Sequence, residues 1–227
     1  MPRETFDKEL QHLQDDVLAM GSMVENAIIE SVEVLKQRDM EASRRLIARD
    51  RRINEKRFAI EADALALIAT QQPMAKDLRS LAAVLDITGE LERIGDYAKG
   101  IARINLLIGE RPLLKPLVDI PLMAEKARDM LHDALEAFVR RDVEQAQAIP
   151  ARDREVDALY NQVYRELLVY VIADQSAIEQ SNFLLWAAHN LERAADRAIN
   201  ICERVVYMVS GELTELSDSD DAGPAPQ

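Results

Sequence analysis

The sequence predicts an all-α fold built as two tandem three-helix bundles, and three observations carry that expectation. The residue mixture favours helix: only 4% of side chains are aromatic and only 7 of the 227 residues are glycine, while Leu, Ala, Glu, Arg and Ile dominate. Apolar residues recur at helical intervals and strand-like alternation is absent. The chain also repeats itself. RDMEASRRLIARDRRIN at 38–54 lies over RDVEQAQAIPARDREVD at 141–157 with seven identities, and LERIGDYAKGI at 91–101 lies over LERAADRAINI at 191–201 with six. The two offsets, 103 and 100, differ by a three-residue loop deletion, so the halves read as duplicates of about 100 residues, each able to bury a usable core.

Proline and glycine divide the chain at Gln71-Gln72-Pro73, from Gly109 to Pro121, near Ala173-Asp174 and at Gly211. The first helix is expected over 5–36. The second, 39–69, stops ahead of Pro73. The third, 74–108, carries the clearest stripe: Leu78, Leu81, Leu85, Leu91, Gly95, Ala98, Ile101 and Ile108, mostly three, four or seven apart. These three make a first bundle within 1–110, and a linker at 111–118 leads to a second within 119–211. There the fourth helix is expected over 119–140, the fifth over 142–173 and the sixth over 178–210, ending at Gly211. Short connections make each half an up-down-up bundle. Pro150 falls inside the fifth helix where Ile47 stands in the first half. It removes a backbone hydrogen bond and clashes one turn back, so a kink or break is expected there. The acidic, apolar-poor stretch 212–227, ELTELSDSDDAGPAPQ, is expected to form a disordered tail.

The formal charge is -13, with 41 acidic against 28 basic residues, which disfavours nucleic acid as a partner. MPRETFDKELQHLQ has no apolar core, and the longest apolar run, Leu167–Ala173, is far below the roughly 18 to 20 residues that span a bilayer. A cytoplasmic protein without membrane insertion is the expectation. The single cysteine, Cys202, excludes an internal disulfide and is expected to be buried beside Ile201. Trp186 and the tyrosines at 160, 164, 170 and 207 sit at core-like spacing, and core is the expected role. The cluster Arg49, Arg51, Arg52, Lys56 and Arg57 is expected to form a solvated helix face.

The duplicated segments also repeat acids four residues apart, a spacing that puts both side chains on one helix face. Glu92 and Asp96 form ExxxD in the first half, and Glu192 and Asp196 form it in the second. Asp50 with Asn54 corresponds to Asp153 with Asp157, and the offset of 103 pairs Glu30 with Asp133. Clustered carboxylates repel one another, so they must face water, pair with arginines or bind cations. Hard oxygen ligands favour Mg, Ca, Mn or oxidised iron over zinc or copper. The plainer expectation is a solvated face with pairs such as Glu92-Arg93 and Glu192-Arg193; recurrence in both halves raises the metal reading against it. A di-iron oxidase needs Glu-x-x-His on two helices, and the chain holds only Glu9 with His12; His132 and His189 are expected on a helix surface or satisfied in the core. Nucleotide-binding glycine motifs, HExxH and GxSxG are all absent. These absences argue against an enzyme, with a metal-dependent carboxylate enzyme or metal-storage bundle kept as the alternative.

The segments GSMVENAI, RDRRIN, QQPMAKDLRSL, ELERIGDYA, MLHDALEAF and LERAADRAINICE, in this order from about Leu13 to Gly211, resemble the PhoU family of phosphate-uptake regulators. The resemblance implies two three-helix bundles related by a pseudo-twofold. It implies a cytoplasmic negative regulator of phosphate uptake and phosphate-starvation signalling, an adaptor between the high-affinity phosphate ABC transporter and its sensor histidine kinase. The implied partners are the transporter's ATPase subunit, the kinase and a second copy in a homodimer. The implied cofactor is multinuclear iron or another divalent metal, held here by Glu92, Asp96, Asp153, Asp157, Glu192 and Asp196, with Asp50, Glu30 and Asp133 in support. Lys99 stands where several relatives carry another acid, Asn54 weakens the first-half DxxxD, and Asn200 ends the second series. The resemblance therefore implies a weaker metal site in the first half than in the second.

Overall fold

The structure, a computed structural model, describes residues 3–216. Its helices are α1 (Arg3–Gln37), α2 (Met40–Gln71), α3 (Ala75–Ile108), α4 (Asp119–Arg140), α5 (Val143–Ala148), α6 (Asp153–Ala173) and α7 (Ile178–Ser210), with no strand among the described residues. Most of the expected acidic tail, from 217 onwards, lies outside the described residues.

The two Arg-Asp dipeptides of the repeat build the same corner twice. Arg38 and Arg141 both adopt left-handed backbone, with φ of 60° and 55°, a conformation that costs an L-residue roughly 1 to 2 kcal/mol. In each corner the next N–H returns to a carbonyl five residues back, Asp39 to Val34 at 3.0 Å and Asp142 to Ala137 at 2.9 Å, closing the preceding helix. The same aspartates then cap the following helix: Asp39 Oδ1 accepts from the Ala42 N–H at 2.8 Å, and Asp142 Oδ1 from the Gln145 N–H at 3.0 Å. Each cap contributes about 1 kcal/mol, which offsets much of the strained corner. Elsewhere α2 ends on left-handed Gln72 ahead of Pro73, and α7 ends on Gly211 at φ 83°.

Pro150 breaks the fifth predicted helix, as expected. The helix becomes α5, a 3-10 turn at Ile149–Arg152 and α6. Ile149 and Pro150 are buried there, so the proline ring packs into the core at the place where its missing N–H interrupts the helical ladder.

Helices α1, α3, α7 and α4 form a central ring in which each packs on the next, α2 covers α1 and α3, and α5 and α6 cover α4 and α7. The pseudo-twofold is legible in reciprocal contacts across the antiparallel α3–α7 seam. Glu90 accepts from the Asn200 amide at 3.2 Å. Their counterparts by the offset of 100 meet as well: a Cβ on Gly100 would lie 3.0 Å from Asn190 Nδ2. Tyr97 likewise lies beside its own counterpart, Arg197, while Arg193 lies 4.5 Å over the Tyr97 ring. On the opposite side, Leu135 occupies the space that a Cβ on Gly21 would need, which lets α4 approach α1 closely. One continuous buried cluster draws on both halves, from Val17 and Ile28 through Ile94 to Phe138 and Ile201.

Cys202 is buried, and burial pushes its thiol up to about 12, consistent with an inert apolar role. The aromatic expectation is corrected. Trp186, Tyr164 and Tyr170 are exposed, Trp186 by 58%, while Tyr160 and Tyr207 are half-buried. Small residues do the central packing instead: Ala187 and Ala188 beside Trp186 are fully buried, and the large rings are displaced outward. Among the described residues no helix is long and apolar enough to cross a membrane.

Candidate metal centre

The duplication places the acids as the repeat predicts, but the two halves treat them differently. The outermost pair is alike in both: Glu30 on α1 pairs with Arg49 on α2, and Asp133 on α4 pairs with Arg152 in the 3-10 turn. Arg49 and Arg152 are themselves related by the offset of 103. Glu30 and Asp133 are therefore salt-bridge anchors that tie consecutive helices together. Three other cations of that cluster are also engaged, Arg51 with Glu55 at 2.7 Å, Lys56 with Asp16 at 2.6 Å and Arg57 with Glu61 and Glu92. The expected solvated face is thus largely a network of ion pairs.

In the first half, α2 supplies Asp50 and α3 supplies Glu92, Asp96 and Lys99. The Lys99 ammonium lies 2.7 Å from Asp50 Oδ2 and 2.8 Å from Asp96 Oδ1. Asp50, with a side chain only 7% exposed, also accepts from the Asn54 amide at 3.3 Å. Burial works against the charge on Lys99, but its hydrogen bonds to Asp50 and Asp96 outweigh it and hold the ammonium above its ordinary pKa. Glu92 takes a bond from Arg57 Nη1 at 3.2 Å. Gly95, whose missing Cβ leaves Ile53 and Asp50 room to close in on α3, permits this packing.

In the second half, α6 brings Asp153 and Asp157, and α7 brings Glu192 and Asp196. The positions that answer to Lys99 and Arg57 are Ile199 and Tyr160, neither of them a cation, and the position of Asn54 is taken by Asp157. The electrostatics follow. Burial, then the charges of Asp196 and Asp157, push the Glu192 carboxyl above the usual carboxylate range, against the pull of His189. Burial, then Asp157, push Asp196 up as well, and Arg197, His189 and Arg193 do not cancel the effect. His189 Nδ1 stands 3.0 Å from Glu192 Oε2, an ion-pair distance that counts only when the imidazole is protonated. That oxygen is otherwise buried without a hydrogen-bond donor. The Tyr160 ring lies 6.1 Å from the His189 ring and flanks the group.

The expected neighbour pairs Glu92-Arg93 and Glu192-Arg193 do not form. Adjacent helical residues point about 100° apart; Arg93 turns instead to Glu90 at 2.7 Å and Arg193 to Tyr97. Among the described residues no three His, Cys, Asp or Glu side chains are gathered tightly enough to hold a metal ion. By donor chemistry the halves still separate. Asp157, Glu192 and Asp196 are hard oxygen donors, and the charges of Asp196 and Asp157 push Glu192 up while that of Asp157 pushes Asp196 up. Asp50 and Asp96 already share the Lys99 cation, and that half does not fit a metal in its present state.

The comparison with known proteins follows the same twofold plan. A model of the PhoU domain matches the chain twice, at residues 17–104 and 120–205, one match in each half. The chain belongs to the PhoU family. Among curated PhoU proteins, it is 35% identical over 222 residues to the phosphate-specific transport system accessory protein PhoU homolog of Clostridium acetobutylicum, covering 96% of this chain and 100% of that one. It is 34% identical over 207 residues to the phosphate-specific transport system accessory protein PhoU of Escherichia coli, covering 91% and 86%. Among solved PhoU structures, those from Streptococcus pneumoniae and Pseudomonas aeruginosa superpose with TM-scores of 0.84 and 0.85, each at 32% identity. The first covers 92% of this chain and 99% of its own, the second 91% and 100%. The PhoU duplication is therefore both a sequence repeat and a structural one.

Legible beforehand were the acids and the offset that pairs them. Missed were Arg57 as the partner of Glu92, and His189 and Tyr160 as neighbours of Glu192. The offset could have flagged them, because Arg57 and Tyr160 occupy corresponding places.

Proposed function

We propose that this PhoU-family chain is a cytoplasmic regulator of phosphate uptake and phosphate-starvation signalling, an adaptor that restrains the high-affinity phosphate ABC transporter and its sensor histidine kinase rather than an enzyme. The observation that carries the reading is membership over nearly the whole chain: a PhoU domain in each half, and relatives named as accessory proteins of the phosphate-specific transport system. In this reading it meets the transporter's ATPase subunit, the kinase and a second copy of itself. Exposed apolar side chains support such contacts, Tyr164, Val169 and Ile172 on α6 and Trp186 on α7, because a free protein gains nothing by keeping them in water.

The described acids do not form a ready metal site; were a divalent cation to bind, Asp157, Glu192 and Asp196 are the hard donors that would hold it, iron or manganese by donor hardness. A bound cation would supply positive charge that reverses the local field and lets an acidic protein meet phosphate. Without one, the chain's own residues act as a repulsive patch whose charge is relieved by protonation. Regulation then consists of binding one conformational state of a partner better than another.

The test is genetic and biochemical together. In a strain lacking its own PhoU, this chain should restore phosphate repression of a phosphate-starvation reporter and co-purify with the transporter's ATPase subunit. Turnover of phosphate esters by the metal-loaded protein, with no effect on the reporter, would replace the adaptor reading by an enzyme.

A further inference from the structure

We propose that the groove between Trp186 on α7 and Leu107 on α3 is a docking site for an acidic partner segment that carries a large apolar side chain. The inference deepens the adaptor reading by naming a surface and the chemistry it takes. Its test uses purified protein and a synthetic peptide, so it can fail while phosphate repression is restored, or hold while repression is not.

The antiparallel α3–α7 seam ends in two grooves that the offset of 100 exchanges. One, of about 340 Å³, is lined by Gly100, Arg103 and Ile104 of α3 and by Trp186, His189 and Asn190 of α7. The other, of about 430 Å³, holds their counterparts Asn200, Glu203, Arg204, Asp86, Gly89 and Glu90. There Arg204 pairs with Asp86 and Arg197 with Glu90, so the charges are met within the groove. In the first groove apolar surface replaces charge: Trp186 stands for Asp86 and buried Ile104 for Arg204. Trp186 and Leu107 are each 58% exposed, a combination that gains from a partner side chain laid between them.

The polar groove shows how a chain lies on such a site. The segment that follows α7 turns back onto it, where Leu216 packs against the core and donates its N–H to Glu203 Oε1 at 3.0 Å. The segment that follows α3 is held elsewhere, by Gln180 donating to Pro112 O at 2.8 Å and by Lys115 between Asp119 and Glu166. The position of Glu203 is taken by Arg103, which is exposed and has no ion-pair or hydrogen-bond partner among the described residues. Glu192 turns to His189 at 3.0 Å rather than to Arg103. Where a carboxylate accepts from an N–H, a guanidinium donates to a carboxylate. The occupant is therefore acidic as well as apolar, and a tryptophan beside an arginine is the pairing that dominates binding energy at protein interfaces. A chain charge of -13 argues against an anionic lipid surface as the occupant.

Trp186 is the only tryptophan of the chain, so its fluorescence reads the groove directly. The probe is the synthetic peptide ELTELSDSDD, the sequence of residues 212–221, titrated into the full chain. A saturable blue shift of Trp186 emission is expected, with affinity falling about tenfold in Arg103→Glu and again when both peptide leucines become serine. The charge-reversed peptide KLTKLSKSKK should bind Arg103→Glu and not wild type, a rescue that a misfolded variant would not show. No shift with ELTELSDSDD overturns the inference, as does affinity unchanged in Arg103→Glu or equal binding of both peptides by wild type. A blue shift with phosphatidylglycerol vesicles and none with peptide would give the groove to a membrane. A dimer that dissociates in Trp186→Ala would give it to a second copy. Emission that is blue in the free chain and turns red in Asp218→Asn/Asp220→Asn/Asp221→Asn would give it to the chain's own end; each of these three also overturns the inference.

Discussion

Asp50, Asp96 and Lys99 in the first half, and Asp157, Glu192 and Asp196 in the second, show one duplicated scaffold serving two electrostatic purposes. The helices, the corners and even the Glu30–Arg49 and Asp133–Arg152 anchors are repeated. In the first half the charges are balanced internally and the acids act as a staple between α2 and α3. In the second half burial and neighbouring carboxylates push Glu192 and Asp196 up despite the pull of His189, Arg193 and Arg197. Duplication preserves backbone geometry because every helix must still bury its stripe. Side chains at the rim of the core can diverge, because exchanging Lys99 for Ile199 alters charge without altering the packing plan.

A second contrast lies where α3 and α7 end. Asn105, fully buried, donates to Val34 O at 3.0 Å, Asp39 O at 3.2 Å and Ser43 Oγ at 2.8 Å, and accepts from Arg38. The corresponding residues of the second half are Val205 and Ala146, both buried, and the polar knot is replaced by apolar packing.

The largest expected effect is from Lys99→Met, which strands the Asp50 carboxylate. It should cost about 3 kcal/mol in chemical denaturation, since losing one partner of a buried pair leaves an uncompensated charge. The raised pKa of Lys99 gives the sign with pH: its contribution is full below 10.5 and is lost as pH rises through the folded value, so alkaline titration should erase the difference between wild type and variant. Asn105→Val should cost about 2 kcal/mol by the same assay, because three buried polar partners lose their donor.

In the second half the sign reverses. The folded carboxyls of Glu192 and Asp196 are raised above their unfolded values. The folded state therefore binds more protons between those values, stability falls as pH rises through that window, and the penalty persists at neutral pH. Glu192→Gln/Asp196→Asn should stabilise the metal-free protein at pH 7 by about 1 kcal/mol after solvent screening, and flatten its acid-side stability curve. Asp39→Ala and Asp142→Ala probe what the halves share: each should cost about 1 kcal/mol, and markedly unequal losses would break the equivalence of the two corners.

Most of the fold was legible in the residues, because helix boundaries follow from Pro73, Pro150, Gly109 and Gly211 and the repeat supplies a second reading of each helix. The acids of the candidate site were legible for the same reason. Their pairing was not. Whether Glu92 turns to Arg93 or to Arg57 depends on how α2 packs on α3, and helical spacing carries no information about a neighbour 35 residues away. Trp186 misled because spacing alone does not distinguish the inner face from the rim of a stripe lined with alanine.

The most direct test of the asymmetry is anomalous scattering at the manganese edge from crystals of the full chain grown with Mn2+. The account predicts no density between Asp50 and Asp96, where the Lys99 side chain should remain, so that any density lies beside Glu192, Asp196 and Asp157. Density between Asp50 and Asp96 with Lys99 swung out, or equal peaks in both halves, would contradict it.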